Sequence, residues 1–373
     1  MKQREGITSM QRLRVGLIGL GTVSEVHLEG YKDADYVDIV AGAEIRPDRM
    51  EMMAKKWNFK GYIDYQEMLG KEELDIAVIM TPALTHRKVA ERVAEHGVHI
   101  LCEKPMALTL KDAKAMITKC AAKGVKFHYG SSYRFLCACQ KAKEMINEGL
   151  LGDIMLLLEI QVGGRGPKHW TDLGPYHYPP GTPGGGGMGL VDHGIHLVDV
   201  FRWFTGTEVH SLVGKGNYSG EPPETEFLTM FFTNGAIGQL IYNEANFPSD
   251  MPYEGIFGWG AGWDASDKLT PGGQWNANPG NMRIHGTKGA LRIFHYPNKL
   301  YFFGENRQEQ IPVLNRPMPG NFAMQLESLA KSILNDKEPE VTGMDGLKAL
   351  QLILAAYESF KTQKFVPIKP FSL

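Results

Sequence analysis

Short, continuous apolar runs alternate with helix-like segments over the first third of the chain. Continuous apolar runs are typical of strands that are buried on both faces, as in a parallel sheet. Candidate strands occupy residues 13–19, 38–43, 74–80, 98–102 and 125–130, and candidate helices occupy residues 47–57, 84–96 and 110–123. This alternation predicts an α/β unit with a doubly wound parallel sheet, which we place at residues 10–133.

Residues 134–373 follow a different pattern, in which strand-like runs succeed one another with few helices between them. Candidate strands occupy residues 154–162, 207–218, 226–233, 236–245, 282–286, 290–295 and 298–303. Candidate helices occupy residues 134–147, 189–204, 322–334 and 344–361. Strands joined by short turns, such as the one at residues 233–235, pair as hairpins. We therefore predict a C-terminal α+β domain with a large, mostly antiparallel open sheet.

The composition excludes several classes of protein. Hydrophobic residues make up 43% of the chain and charged residues 22%, as in ordinary globular proteins. The formal net charge of −2 leaves no basic excess for nucleic-acid binding, and no apolar run approaches the length of a membrane span. The N-terminal residues contain no apolar segment typical of a secretion signal, and the four cysteines form no C-x-x-C pair. We therefore expect a cytoplasmic protein with reduced thiols and with no nucleic-acid or membrane partner.

A glycine-rich segment, GLGTVS at residues 19–24, directly follows the first candidate strand. Gly19 permits the tight turn, and Gly21 lets the backbone approach a pyrophosphate at the start of the following helix. Thr22 and Val23 begin that helix, where N–H groups and the helix dipole favour an anion. A serine replaces the usual third glycine, but it is small enough for close packing between helix and strand. The segment predicts a Rossmann unit that binds a dinucleotide.

The end of the second candidate strand bears on the choice of dinucleotide. Glu44 can accept hydrogen bonds from both ribose hydroxyls of the adenosine, and its charge would repel a 2′-phosphate. The guanidinium of Arg46, two residues after Glu44, could instead form an ion pair with that phosphate. We therefore expect NAD as the cofactor in preference to NADP. Alternatively, Glu44 is only a solvent-exposed side chain at the end of the strand.

Two further segments offer groups for acid–base chemistry. Lys104, in Glu103-Lys104-Pro105, follows the fifth candidate strand, and ligands bind beyond the carboxyl ends of such strands. Asp192 and His196 are four positions apart in a candidate helix, so both can face one ligand. Alternatively, Lys104 is an ordinary surface lysine, Asp192 caps the helix, and His196 is a histidine of the core. Neither a Cys-rich nor an H-E-x-x-H pattern accompanies these residues, so we expect no catalytic metal.

These motifs together resemble the glucose–fructose oxidoreductase / inositol 2-dehydrogenase / rhizopine-catabolism (Gfo/Idh/MocA) family of oxidoreductases. The resemblance extends over nearly the whole chain. Its motifs are GLIGLGTVSEVH (residues 16–27), TPALTH (81–86), CEKPMALT (102–109), GGGMGLVDHGIHLVD (185–199) and IHGTKGALRI (284–293). An E-K-P segment with a downstream D-x-G-x-H, both behind a Rossmann fingerprint, is specific to this family.

The resemblance implies a role for each matching residue. Lys104 matches a catalytic lysine that contacts both the substrate hydroxyls and the nicotinamide region. His196 matches the catalytic base or acid, and Asp192 matches the residue that holds the substrate and tunes the proton transfer. The positions that match cofactor-lining residues are Thr81, Pro82, His86 and Glu103. The Lys104–Pro105 peptide bond matches one that is usually cis.

One departure from the family pattern affects a polar contact near the site. Where the family often has Asn before an Arg-Phe pair, this chain has Ser131-Ser132-Tyr133-Arg134-Phe135. Arg134 itself is retained, and we treat it as a candidate substrate ligand.

The resemblance implies an NAD(P)-dependent oxidoreductase that acts on a secondary hydroxyl of a sugar, cyclitol or related polyol. Lys104 would position the reacting hydroxyl, His196 would take its proton, and Asp192 would orient the pair. An NAD-dependent glycoside hydrolase, which works by transient oxidation and elimination, is the alternative enzyme. A Rossmann-based sensor that binds NAD without turnover is the alternative outside catalysis, although the retention of all these side chains argues against it.

Two segments rich in glycine and proline, residues 163–189 and 247–280, also contain many aromatic and charged residues. Such a composition is typical of ordered binding loops. In the first segment the candidate substrate contacts are Arg165, His169, Trp170, Tyr176 and His177. The aromatic rings suit the apolar faces of sugars, and the basic side chains suit an anionic substituent. In the hydrolase alternative, the histidines and the tyrosine would supply the additional acid and base.

Few helices are available to cover the strands that follow residue 207. One face of their sheet is therefore expected to stay open, and an uncovered apolar face is a typical subunit contact. We predict a homodimer or homotetramer that assembles through the C-terminal domain, residues 134–373, which also binds the substrate.

Overall fold

The computed structural model describes residues 12–163, 190–216, 225–243, 256–257, 281–294 and 297–371. These residues form a six-stranded sheet and a ten-stranded sheet, both flanked by helices. None of the helices in these segments is long and apolar enough to cross a membrane.

The first sheet lies in the N-terminal part, where strands and helices alternate. Its strands are β1 (Leu13–Ile18), β2 (Val37–Ala43), β3 (Lys60–Tyr62), β4 (Ile76–Ile79), β5 (His99–Glu103) and β6 (Phe127–Gly130). The helices are α1 (Thr22–Tyr31), α2 (Pro47–Trp57), α3 (Tyr65–Lys71), α4 (Ala83–Glu95) and α5 (Leu110–Ala122). The strand order is β3-β2-β1-β4-β5-β6, and all the pairings are parallel. The predicted doubly wound parallel sheet is therefore confirmed.

Local sequence signals set the ends of several of these helices. Pro47 occupies the first turn of α2, where its fixed φ suits a helix and an N–H is not needed. Asp64 and Thr109 cap α3 and α5 by accepting hydrogen bonds from first-turn N–H groups. The sequence does not predict β3 or α3, because a strand of 3 residues and a helix of 7 carry too little periodicity.

The second sheet contains the remaining strands. They are β7 (Ile154–Gly163), β8 (Val209–Gly216), β9 (Thr225–Phe232), β10 (Ile237–Asn243), β11 (Ile256–Phe257), β12 (Asn281–Gly286), β13 (Gly289–Phe294), β14 (Lys299–Gly304), β15 (Arg307–Ile311) and β16 (Val366–Pro367). The order is β15-β14-β13-β12-β7-β10-β9-β8-β16, and β11 also pairs with β7. Only β10 and β11 pair parallel to β7 among these described strands. The prediction of a mostly antiparallel sheet is confirmed.

The helices that the structure describes pack on one face of this second sheet and leave its other face uncovered. The helices of this part of the chain are α6 (Cys137–Asn147), α7 (Ile195–Thr205), α8 (Gly320–Leu334) and α9 (Gly343–Thr362). Side chains on the covered face are fully buried, and they include Leu157, Leu228, Leu240, Met282 and Leu291. Side chains on the opposite face include the exposed Ile160, Phe227 and Ile237. The register places Ile160 and Phe227 on either side of Ile241, four positions along β10 from Ile237.

The structure differs from the sequence prediction at the start of two helices. The helix predicted from residue 134 begins only at Cys137, because residues Ser132–Phe135 form a 3₁₀ turn. The helix predicted from residue 189 begins with a π-helical turn at Leu190–Gly194, which leads into α7. In both places tertiary contacts override the local helical pattern. The strands β15 and β16 are also absent from the prediction, since one is a polar edge strand and the other has 2 residues.

The last two long helices connect the two sheets. α8 packs on α1, and α9 packs on α5 and β6. Gly30 permits the first contact, because a Cβ there would lie 2.4 Å from the carbonyl oxygen of Pro319. The segment before α9 joins the edge of the parallel sheet, where the Tyr129 N–H donates to the carbonyl of Val341 at 3.2 Å. The C-terminal helices therefore brace the N-terminal sheet, while the division at residues 133 and 134 stays a prediction.

Candidate active site

The glycine loop joins β1 to α1 at the carboxyl edge of the parallel sheet. Gly19 has a φ of +89°, and a Cβ there would lie 2.8 Å from the backbone nitrogen of Thr81, so only glycine fits. A Cβ on Gly21 would meet no described atom within 4 Å, so the backbone faces open space there. Gly21 also has no side chain that could cap the first turn of α1, which begins with Thr22 and Val23. The loop therefore fits the pyrophosphate of a dinucleotide.

Glu44 lies just beyond β2, and its carboxylate contacts the glycine loop. One carboxylate oxygen accepts the Leu20 N–H at 3.0 Å, and the other accepts the Arg46 Nε–H at 3.0 Å. Glu44 is 8% exposed, whereas the side chain of Arg46 is 59% exposed. The two residues that bear on cofactor choice are thus an ion pair, and the carboxylate is the one that is fixed in position by the backbone.

Arg49 is a residue of this region that the sequence prediction missed. Its Nε–H donates to the carbonyl of Leu20 at 2.7 Å, and its terminal nitrogen donates to the carbonyl of Gly21 at 3.2 Å. It also forms an ion pair with Glu25 of α1 at 2.8 Å. Arg49 therefore turns the loop carbonyl groups away from the position of an anion. Arg49 lies on α2, far from the glycine loop in sequence, so no sequence motif predicts this contact.

Lys104 follows β5, and the structure places its neighbour Glu103 in the protein interior. Glu103 is 6% exposed; its carboxylate contacts His27 Nε2 at 2.8 Å and accepts the Lys104 backbone N–H at 3.0 Å. Burial alone would raise the pKa of Glu103. The hydrogen bonds and charges of His27 and Lys104 outweigh this effect, so the pKa of Glu103 is lowered. The contacts of Glu103 are therefore those of a buried anion that supports the lysine, and its cofactor contact stays a prediction.

His86 supports the same segment from the other side. It is 1% exposed; its Nε2 lies 2.6 Å from the carbonyl oxygen of Thr81, and its Nδ1 lies 3.1 Å from that of Pro105. Burial lowers the pKa of His86, and this effect outweighs the opposing effect of the two carbonyl contacts. The Lys104–Pro105 peptide bond is cis, as the resemblance implies. His86 thus joins the loop after β4 to the loop after β5, and Pro82, before α4, is exposed.

His196 lies in the first turn of α7 and is 6% exposed. Its ring stacks on Tyr133, with the ring centres 4.4 Å apart and the planes at 9°. The Tyr133 hydroxyl lies 3.4 Å from Nδ1 of His193, one position after Asp192. The side chain of Asp192 lies outside what the structure describes, so its predicted pairing with His196 stays a prediction. Tyr133 is a second residue that sequence reasoning missed, although it precedes the Arg-Phe pair noted above.

Arg134 lies in a buried ionic cluster. It is 4% exposed, and its guanidinium donates to both oxygens of Asp199, at 2.7 and 2.5 Å. It also donates to Asp345 at 3.1 Å, and Arg202 approaches Asp199 at 3.5 Å. Asp199 lies one turn after His196 on α7. The contacts of Arg134 therefore hold α7 against the turn after β6 and against α9, and the substrate contact suggested by the sequence stays a prediction.

The strand register brings these groups to one edge of the parallel sheet. β5 and β6 are neighbours, and Glu103 is paired with Gly130, the last residue of β6. Lys104 and the turn that contains Tyr133 therefore leave the sheet side by side. Because His196 stacks on Tyr133, the imidazole is held at the carboxyl edge of the sheet that also carries the glycine loop.

Several predicted residues fall in segments that the structure leaves undescribed. They are Arg165, His169, Trp170, Tyr176 and His177. Within the described ranges no group of three or more His, Cys, Asp or Glu residues could hold a metal ion. The four cysteines are buried and unbridged. Burial raises the pKa of each thiol, that of Cys120 to about 12, which makes them unreactive.

Comparison with known protein families assigns both parts of the chain. A family described as "Oxidoreductase family, NAD-binding Rossmann fold" matches residues 13–131. Its companion, "Oxidoreductase family, C-terminal alpha/beta domain", matches residues 143–369. The chain belongs to the Gfo/Idh/MocA oxidoreductase family. The resemblance inferred from the motifs is confirmed, and the first sheet is the NAD-binding Rossmann fold of an oxidoreductase.

The similar proteins extend over almost the whole chain. D-apiose dehydrogenase of Paraburkholderia graminis is 25% identical and covers 97% of this chain and 91% of its own. Myo-inositol 2-dehydrogenase of Thermotoga maritima is also 25% identical and covers 96% of this chain and 99% of its own. Among solved structures, scyllo-inositol dehydrogenase of Lactobacillus casei superimposes with a TM-score of 0.73 at 21% identity, over 96% of this chain and 99% of that one. At this identity the structural match supports the fold alone.

Proposed function

We propose that the protein is an NAD-dependent dehydrogenase that oxidises a secondary hydroxyl of a sugar, a cyclitol or a related polyol. The observation that carries this proposal is the placement of Lys104 and the Tyr133–His196 stack beyond two neighbouring strands of the NAD-binding sheet. The names of the relatives, which include D-apiose, myo-inositol 2- and D-glucoside 3-dehydrogenases, favour this class of substrate.

Each of the three predicted catalytic residues, Lys104, His196 and Asp192, has a distinct proposed role. The ammonium group of Lys104 binds the reacting hydroxyl and orients it. His196 accepts the hydroxyl proton as general base, since an imidazole has a suitable basicity near neutral pH. Asp192 orients the substrate beside His196. The bound NAD supplies the hydride acceptor.

The cofactor preference for NAD over NADP is part of the proposal. Glu44 supports it, because its carboxylate is fixed by the Leu20 N–H at the loop that receives the pyrophosphate. Its charge would repel a 2′-phosphate, although the pairing with Arg46 reduces that repulsion. Titration of both reduced cofactors by fluorescence should give a lower Kd for NADH, and Glu44→Ala should narrow the difference. Equal affinities of the unmodified protein for the two cofactors would contradict the assignment.

The experiment that tests the reaction is a screen of sugars and cyclitols for NADH formation. On the substrate found, His196→Ala and Lys104→Ala should each lower kcat by about 10²–10⁴-fold, the usual effect of losing an acid–base or orienting group. His210, an exposed histidine on β8, offers a matched control, and His210→Ala should leave kcat unchanged. Near-normal rates in both site variants would place the reaction elsewhere.

Aryl glycosides included in the same screen test the glycoside hydrolase alternative. That reaction releases the aglycone without accumulating NADH, because the cofactor is regenerated within the cycle. The relatives named as dehydrogenases favour net oxidation, while one relative is named 2,7-anhydro-N-acetylneuraminate hydratase. Release of the aglycone without accumulation of NADH would contradict the dehydrogenase proposal and support the glycoside hydrolase.

We further propose that the protein forms a homodimer or homotetramer through the open face of the second sheet. The register places Ile160, Ile241 and Phe227 side by side there, and it places Ile237 between Leu156 and Phe231, four positions away along β10. Ile160, Phe227 and Ile237 are between 36% and 39% exposed, and a patch of this kind is typically covered by a second subunit. Sedimentation should give a mass at least twice the 41.5 kDa of the chain. Ile237→Lys should shift it toward the monomer; a monomeric unmodified protein would contradict the proposal.

The proposed location is the cytoplasm, with the polyol and NAD as the ligands and no nucleic acid or membrane as partner. The four buried, unbridged cysteines support a reducing compartment. Fractionation of cells that express the protein with an intact N-terminus checks the location.

A further inference from the structure

A chain of buried hydrogen bonds runs from α1 to the backbone of Lys104. The Tyr31 hydroxyl lies 2.8 Å from Nδ1 of His27, and Nε2 of His27 lies 2.8 Å from one oxygen of Glu103. The other oxygen of Glu103 accepts the Lys104 N–H at 3.0 Å. His27 is fully buried, and Tyr31 and Glu103 are each 6% exposed. All of these groups are thus shielded from water.

The direction of each hydrogen bond follows from the chemistry of the groups. The lowered pKa of Glu103 keeps it ionised, so its two oxygens only accept hydrogen bonds. His27 Nε2 must therefore carry a proton and donate it to Glu103. Burial raises the pKa of Tyr31 well above its ordinary value, so its hydroxyl keeps its proton and can donate to Nδ1 of His27. Both oxygens of the carboxylate have a donor, and the orientation of Glu103 is determined by His27 on one side.

The C-terminal part of the chain holds His27 in place. The ring of Phe322, in the first turn of α8, lies 4.1 Å from that of His27, with the planes tilted by 35°. The close approach of α8 to α1 at Gly30, described above, determines this contact. His27 therefore has little rotational freedom, and the position of the Glu103 carboxylate depends on packing between the two parts of the protein.

We propose that His27 is a positioning residue for Lys104 and acts through Glu103. The proposal rests on the proposed function of Lys104 as the residue that orients the reacting hydroxyl. Without the donor at His27 Nε2, the Glu103 carboxylate loses one of the two groups that orient it. The Lys104 N–H then loses a fixed acceptor, and the ammonium group at the end of the side chain is displaced. A displacement of about 1 Å at a reacting group can lower a rate by about a hundredfold.

Two substitutions of His27 separate positioning from packing. In His27→Gln, the amide nitrogen takes the place of Nε2 and can still donate to Glu103. In His27→Asn, the shorter amide takes the place of Nδ1 and cannot reach Glu103. We expect kcat to fall about tenfold or more in His27→Asn and by less than about threefold in His27→Gln, with the NADH Kd similar in both. Equal losses of kcat in the two variants would overturn the proposal.

The Lys104→Ala background shows whether the effect passes through the lysine. If His27 acts through Lys104, then His27→Asn should lower the residual kcat of Lys104→Ala by less than about twofold. A loss as large as in the unmodified background would mean that His27 supports the fold in general. His99→Asn is a matched control, since His99 lies at the opposite end of β5 and contacts the Lys126 N–H. This control should leave kcat unchanged.

Tyr31→Phe provides a second route if His27→Asn does not fold. It removes a single hydroxyl, so kcat should fall about twofold to fivefold in the unmodified background and remain unchanged in Lys104→Ala. Equal effects in both backgrounds would contradict positioning.

A readout that needs no turnover distinguishes failure of this proposal from failure of the proposed function. The acylation rate of the Lys104 amine in the cofactor-free protein can be compared with that of Lys111, an exposed lysine on α5, by peptide mass spectrometry. The ratio should change about threefold or more in His27→Asn and little in His27→Gln. An unchanged ratio in both variants would overturn the positioning role, even if no polyol is oxidised.

Discussion

His128 occupies the middle of β6 with its side chain fully buried. Neither ring nitrogen has a hydrogen-bond partner among the residues that the structure describes, and the ring packs 5.7 Å from that of Phe135. Burial, together with the charge of Arg134, lowers the pKa of His128 to about 3, while Asp345 opposes this change. The folded protein therefore keeps His128 neutral at a pH at which the unfolded chain, with a pKa of about 6.5, binds a proton.

The sign of the pH effect follows from this difference. Between the two pKa values the unfolded state binds more protons than the folded state, so the free energy of unfolding falls as the pH falls below about 6.5. Each pH unit in this range corresponds to about 1.4 kcal/mol. From about pH 7.5 to about pH 5, His128 alone should therefore lower the free energy of unfolding by about 2 kcal/mol.

Urea unfolding of His128→Phe and the unmodified protein at both pH values checks this magnitude. The phenyl ring cannot titrate, so the variant should lose about 2 kcal/mol less stability on acidification than the unmodified protein. Any constant change due to the shape of the new side chain cancels, because only the difference between the two pH values is compared. The remaining titratable groups, including His86, are present in both proteins. An equal loss of stability in both would refute the reasoning.

Three further predictions concern the site and its supports. Tyr133→Leu should lower kcat about threefold to tenfold because His196 loses its stacking partner, whereas Tyr133→Phe should retain most of the rate. Steady-state kinetics with NADH titration as control checks this, and equal rates in the two variants would argue against stacking. Arg134→Lys should lower the free energy of unfolding by about 2–4 kcal/mol in urea, since lysine cannot form the two-pronged contact with Asp199. A change below about 0.5 kcal/mol would mean that the cluster contributes little. Gly19→Ala should weaken NADH binding at least about tenfold, because the positive φ and the nearby strand exclude a Cβ, and unchanged binding would contradict the role of this turn.

The sequence alone was sufficient for the parts of the protein that depend on local patterns. Continuous apolar runs predict the parallel strands because burial on both faces leaves no place for polar side chains. The GLGTVS segment predicts the dinucleotide loop for a similar reason, since a positive φ at Gly19 can be recognised from residue type. Residues 207–245 predict antiparallel strands through their hairpin turn, and the structure has β9 and β10 there.

The protein contacts of Glu103 and Arg134 could not be obtained in this way. Both are charged residues in the motifs that predict the site, and the sequence alone therefore assigns them ligand contacts. Their actual partners, His27 and Asp199, are separated from them by 76 and 65 positions in the sequence. No local pattern encodes a pairing over such distances.

Tertiary structure also determined where the helices near the site begin and how they are braced. The turn at Ser132–Phe135 interrupts a helical pattern because Tyr133 stacks on His196 and its neighbour pairs with Asp199. Similarly, α8 reaches back across the chain to pack on His27. Residue type and periodicity specify which backbone shape a segment prefers. Which buried charges meet, and therefore which side chains are left to face a ligand, depends on contacts that form only when the whole chain has folded.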